Sequence, residues 1–104
     1  MEGERIGILI VDDDQTFLGD IARLMSDRYR IVMARNATEA LTAYHTMGFY
    51  VVLLEIDLGR GLDGFELLDA FRASDPNIPA IMVTRDSSAS SATAALKKGA
   101  ADYI

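Results

Sequence analysis

Two short apolar runs, each ending on carboxylates, constrain this chain more than anything else in it. Ile8-Leu9-Ile10-Val11 runs into Asp12-Asp13-Asp14, and Val51-Val52-Leu53-Leu54 runs into Glu55-Ile56-Asp57. Near-continuous apolar runs of this length read as strands buried on both faces of a parallel sheet. Acidic residues just past such strands fall at the C-terminal edge of the sheet, where open α/β folds bind their ligands. Carboxylates gathered there repel one another, and a hard divalent cation such as Mg²⁺ relieves that repulsion.

The 104 residues, half of them apolar, suffice for one small domain with a real core, residues 1–104. The net charge of −6, with no basic run, argues against direct nucleic-acid binding by this segment. Cysteine is absent, which excludes a disulfide framework and thiol chemistry and fits a reducing cytoplasm. Met1-Glu2-Gly3-Glu4-Arg5 lacks signal-peptide character, and no apolar run approaches the roughly 20 residues that span a bilayer. The expectation is a cytoplasmic domain with no membrane partner.

Strand and helix signals alternate along the whole chain. A strand over Ile6 to Val11 precedes a helix from Gln15 to about Asp27, capped by Asp14, with Phe17, Leu18, Ile21, Leu24 and Met25 as its apolar stripe. Tyr29 to Ala34 is a second strand. Asn36-Ala37-Thr38-Glu39, a relative of the capping box, opens a helix through about Met47, with Gly48 where a C′ glycine would end it. Tyr50 to Leu54 is the third strand. Asp63-Gly64 starts a helix burying Phe65, Leu67, Leu68 and Phe71, and a turn over Asp75 to Pro79 leads to a fourth strand, Ala80 to Thr84. A helix from Ser88 to Lys98 and a fifth strand at Asp102-Tyr103-Ile104 complete the pattern of a doubly wound α/β domain. His45, with no ligand partner at helical spacing, reads as a surface residue, and Phe65, Phe71 and the methionines as core or surface rather than a cofactor box.

The residues that carry chemistry sit in an order that resembles the receiver domains of response regulators in bacterial two-component signalling. Ile8 to Asp14 is similar to their first strand and acidic pair, and Val52 to Asp57 to their third strand and phosphoacceptor segment. Leu62-Asp63-Gly64-Phe65 resembles the Asp-Gly opening of their third helix. Ile81-Met82-Val83-Thr84 resembles the fourth strand with its switch hydroxyl, and Lys98 to Ile104 the approach to the fifth strand. The resemblance implies a flavodoxin-like parallel sheet of order 2-1-3-4-5. It implies a non-enzymatic relay module that accepts a phosphoryl group from a sensor histidine kinase or phosphotransfer protein and signals to a downstream effector. It further implies Mg²⁺ (or Mn²⁺) held by Asp13 directly, by Asp12 in the outer shell, by the acceptor carboxylate at 55 and by the backbone carbonyl of Asp57. Thr84 would bind the phosphoryl oxygens, and Tyr103 would be the aromatic switch.

Three departures bear on function. The acceptor position holds Glu55, which keeps the charge of aspartate but adds a methylene. This predicts a phosphate mimic or a domain that does not use phosphorylation, the alternative being an ordinary receiver in which aspartate has been replaced. The family's lysine after the Tyr103 position and its fifth helix have no counterpart before Ile104, which predicts a partly exposed apolar sheet face, marginal stability or self-association. Arg85 stands where the family usually has a small residue; it would hinder the phosphodonor or pair with Glu55, or else be a solvated surface arginine. Two rival functions stay open. One is a pseudo-receiver scaffold with no phosphoryl chemistry. The other is a phosphatase of the haloacid-dehalogenase type, in which Asp12 is the nucleophile, Asp14 the acid/base and Thr84 a second motif.

Overall fold

The computed structural model describes residues 6–59 and 63–83 and the backbone of residues 102–103. Its elements are β1 (Ile6–Val11), α1 (Gln15–Met25), β2 (Tyr29–Ala34), α2 (Ala37–Thr46), β3 (Val51–Leu54), α3 (Gly64–Ser74), β4 (Ala80–Met82) and β5 (Asp102–Tyr103). The strands form one parallel sheet in the order β2-β1-β3-β4-β5, the flavodoxin-like order that the resemblance implies. The helix expected over Ser88 to Lys98 lies outside the described residues.

The sheet is buried unequally on its two faces. Because side chains alternate along a strand, Leu9, Val11, Val52, Leu54, Ala80 and Met82 point to one face. They pack there with Leu67, Leu68 and Phe71 of α3 and Ala37 and Ala40 of α2, all buried. Ile8 and Ile10 point the other way, onto Leu18 of α1, with Phe17, Ile21 and Met25 around them. β1 is therefore covered on both sides, as its apolar run predicts. On the α1 face, however, Val51, Leu53 and Ile81 are only half-buried.

The helix starts follow local chemistry. The Asp14 carboxylate accepts from the N–H groups of Thr16 and Phe17, at 3.0 and 3.1 Å. Asp63 and Glu66 form a complete capping box, Asp63 accepting from the Glu66 N–H at 2.8 Å and Glu66 from the Asp63 N–H at 3.1 Å. Each such contact satisfies an amide that the helix leaves without an internal partner. Asp63→Ala is expected to lower stability by about 1 kcal/mol, read as a lower urea midpoint with an unchanged slope.

At α2, Asn36 caps the Glu39 N–H at 2.9 Å. Glu39 reaches one residue further back than in a capping box, accepting from the Arg35 N–H at 2.8 Å and the Arg35 guanidinium at 2.9 Å. The bond from the Arg35 side chain, then that from its backbone, hold the Glu39 carboxyl below its ordinary value. A depressed carboxyl stabilises the fold above the ordinary carboxylate range, and that contribution is lost as pH falls through the folded-state value. Glu39→Gln is expected to flatten the fall in melting temperature on acidification. The change is small and shrinks with added salt, because Arg35 is exposed and Glu39 partly so.

Three expectations need correction. Leu24 is 75% exposed rather than part of the α1 stripe. At about 100° per residue it stands some 120° round the helix from Leu18, at the edge of the buried face. Phe65 is half-buried, packed at the margin of the core. Gly48 is not in a left-handed cap, since Gly59 has the one positive φ among the described residues. Met47 instead turns extended, and the Gly48 carbonyl accepts from the Arg30 guanidinium at 2.6 Å. Arg30 also lies over the Phe49 ring, 5.2 Å from its centroid, and occupies the space that a side chain at Gly7 would need. One arginine from β2 thus fastens the chain entering β3.

Candidate functional site

The register of the sheet brings the sequence-predicted carboxylates to one edge. Val11 is paired with Leu54, so the next residues, Asp12 and Glu55, stand side by side at the ends of adjoining strands. Two backbone bonds carry the pairing one step beyond the strands: the Asp12 N–H donates to Ala34 at 3.0 Å and the Glu55 N–H to Val11 at 2.9 Å. Both side chains are buried, at 5% and 2% relative exposure, the only buried charged residues among those described. Asp13 and Asp57 are exposed beside them.

Each carboxylate is oriented by local backbone. Asp12 accepts from the Asp14 N–H at 2.9 Å, which turns the chain into α1. Glu55 folds back to accept from the Ile56 N–H at 2.7 Å, a reach that its extra methylene permits. Asp57 accepts from the Gly59 N–H at 3.0 Å, holding the start of the β3–α3 loop. Gly59 takes φ +80°, which glycine adopts without steric cost, and a Cβ on it would lie 3.6 Å from the Asp13 carboxylate. Asp13 therefore lies close to the loop that carries Asp57. Leu58, buried at 4% exposure, roots the loop in the core; a lone leucine between Asp57 and Gly59 was its only signal in the sequence.

The donors at this edge are carboxylate and carbonyl oxygens, the ligand type of hard divalent cations. Among the described residues, no three His, Cys, Asp or Glu side chains are gathered in a metal-holding group. Mg²⁺ commonly takes one or two carboxylates and keeps several waters, so the Asp12–Asp13 pair is compatible with it. Thr84, Arg85 and the side chain of Tyr103 lie outside the described residues. The nearby Val83 N–H donates to the Leu54 carbonyl at 2.9 Å, which brings the end of the fourth strand to the same edge. A cleft of about 240 Å³ between α1 and β2, lined by Leu18, Gly19, Met33 and Arg35, contains none of the four carboxylates. His45 is exposed on α2, as expected of a surface residue, and no described helix is long and apolar enough to cross a membrane.

Sequence reasoning did not foresee the packing of Gly64 on the end of β3. Its N–H donates to the Ile56 carbonyl at 2.7 Å. A Cβ at Gly64 would collide with the Glu55 carbonyl oxygen and come within 2.8 Å of the Ile56 Cα. The glycine after the Asp63 cap is visible in the sequence, but what it touches is not.

Comparison with known proteins agrees with this fold. The family model for the response regulator receiver domain matches residues 8–104. The transcriptional regulatory protein ZraR of Klebsiella oxytoca is 36% identical over 105 residues, covering 100% of this chain and 24% of that protein. The chain thus spans about a quarter of the length of such curated relatives. A CheY-like response regulator receiver domain protein from Methanospirillum hungatei JF-1 superposes with a TM-score of 0.89 at 31% identity, over 97% of this chain and 81% of that one. A response regulator from Burkholderia pseudomallei, solved with a phosphorylated aspartic acid, a calcium ion and citrate, gives a TM-score of 0.87 at 28% identity, over 94% of this chain and 58% of that one. With the acidic edge, the strand order and the family model in agreement over nearly its whole length, this chain belongs to the response regulator receiver domain family.

Proposed function

We propose that this chain is a cytoplasmic relay module that links a sensor histidine kinase or phosphotransfer protein to an effector, and that Glu55 makes it non-phosphorylatable or phosphate-mimicking. The observation that carries the reading is the burial of Asp12 and Glu55 side by side at the C-terminal edge of the sheet, with Asp13 close to the β3–α3 loop. The Burkholderia relative, solved with a phosphorylated aspartic acid and a calcium ion, supports the reading of an acidic acceptor and a divalent cation for this chain. In this chain Asp13 would hold Mg²⁺ (or Mn²⁺) directly and Asp12 through its outer shell, with the Asp57 backbone carbonyl and the residue-55 carboxylate as further ligands. Bound there, the cation supplies charge neutralisation for an incoming phosphoryl group. Thr84 would bind the phosphoryl oxygens, Tyr103 would respond as the aromatic switch, and the half-buried face of Val51, Leu53 and Ile81 offers a surface for self-association.

A second reading, a scaffold that binds partners without phosphoryl chemistry, is favoured by one observation. Glu55 is 2% exposed and its carboxylate is engaged on the adjacent N–H. The phosphatase reading has less support, because the receiver-domain family model matches residues 8–104.

Intact mass after incubation with acetyl phosphate and Mg²⁺, for this chain and its Glu55→Asp variant, separates the readings. A single phosphoryl adduct in the variant alone supports a competent pocket disabled by Glu55. No adduct in either assigns the chain to the scaffold.

A further inference from the structure

We infer that Gly64 is a positioning residue for the phosphoacceptor position, because the first residue of α3 is packed directly on the Glu55–Ile56 peptide. The inference rests on the relay reading above. The bonds that continue the sheet run through the Glu55 N–H to Val11 and the Leu54 carbonyl to Val83. The Glu55 carbonyl comes after them and lies against the Gly64 Cα, where no side-chain atom fits. The next carbonyl, that of Ile56, accepts from the Gly64 N–H at 2.7 Å. The peptide that presents residue 55 is therefore held from the sheet on one side and from α3 on the other.

α3 itself is anchored by the Asp63–Glu66 box and by Leu67, Leu68 and Phe71, each 0% exposed. A methyl group at residue 64 meets a fixed helix on one side and the end of a strand on the other. The Glu55–Ile56 peptide is the part that gives way. In-line transfer to a carboxylate depends on placement, and a shift of about 1 Å costs about 100-fold.

The test uses the whole chain. In the Glu55→Asp background, Gly64→Ala is expected to slow adduct formation from acetyl phosphate about 10- to 100-fold, with the half-saturating acetyl phosphate concentration unchanged. Asp63→Ala, which weakens the same helix end but adds nothing against the peptide, is expected to leave the rate per folded molecule unchanged. Equal losses in both variants would reduce Gly64 to a stability role and overturn the inference.

A second readout is independent of phosphorylation. In the chain with Glu55 retained, Gly64→Ala is expected to displace the amide resonances of Glu55 and Ile56, and Asp63→Ala to leave them in place. Displaced resonances, with no adduct on Glu55→Asp, uphold the positioning and reject the relay reading. Undisplaced resonances overturn the positioning. Should Gly64→Ala not fold, an amide-to-ester replacement at Gly64 removes the N–H and adds no side chain. The same slowing is expected from it, and an unchanged rate would overturn the inference.

Discussion

Replacing Glu55 by aspartate is expected to raise uptake of a phosphoryl group from acetyl phosphate and Mg²⁺ by at least about 100-fold. Glu55 has the charge of an acceptor but not the placement of one. Its extra methylene lets the carboxylate fold back onto the Ile56 N–H, at 2.7 Å, and the residue is 2% exposed. Aspartate is too short for the same bond in the same form, so its oxygens are released toward Asp12 and Asp13. Phosphoryl transfer asks little of the protein beyond placement and charge neutralisation, so placement should dominate the result. Adding Asp13→Asn to this variant is expected to remove most of the gain, since Asp13 is the proposed direct ligand of the metal. Time-resolved intact mass reads both effects. A Glu55→Asp variant as silent as the parent chain would sink the relay reading.

Phe71→Ala is expected to destabilise the domain by about 3 to 5 kcal/mol, against a total of about 5 to 15 kcal/mol for a typical domain. Phe71 is 0% exposed, lies among Leu67, Leu68 and the buried face of the sheet, and has its ring 4.7 Å from that of Tyr44 on α2. Truncation removes a ring contact between α2 and α3 and leaves a cavity under both helices. The α1 face of the sheet, where Val51 and Leu53 are half-buried, has little reserve to offset the loss. Urea unfolding followed by circular dichroism measures it. A change below about 1.5 kcal/mol, typical of volume-conserving core swaps, would mean that the core collapses around the gap and that Phe71 does not carry the packing of α3.

The local parts of this fold were legible residue by residue. The caps at Asp14 and Asn36 and the helix start at Asp63 stand where the sequence places them, because a cap depends on a side chain and an amide two or three residues away. The apolar runs become β1 and β3 with carboxylates at their ends, because the pattern of burial along a strand is written in its own residues. Even there the limit shows: Leu24 fits the helical period but faces solvent, since the width of a buried stripe is set by what it packs against.

Within the described residues, the chain by itself thus determined the alternation of strands and helices, where the helices begin, and that carboxylates would stand just past two neighbouring strands at one edge of a parallel sheet. Only the tertiary structure decided which of them are buried, that Glu55 turns back on its own peptide, that Arg30 passes across Gly7 to hold the entry to β3, and that Gly64 seats α3 on the Glu55–Ile56 peptide. Those outcomes rest on close approach between segments far apart in sequence. Caps and periodicities are settled within one turn of chain, whereas exclusion of water and contact at van der Waals distance exist only once the sheet and helices have closed on one another.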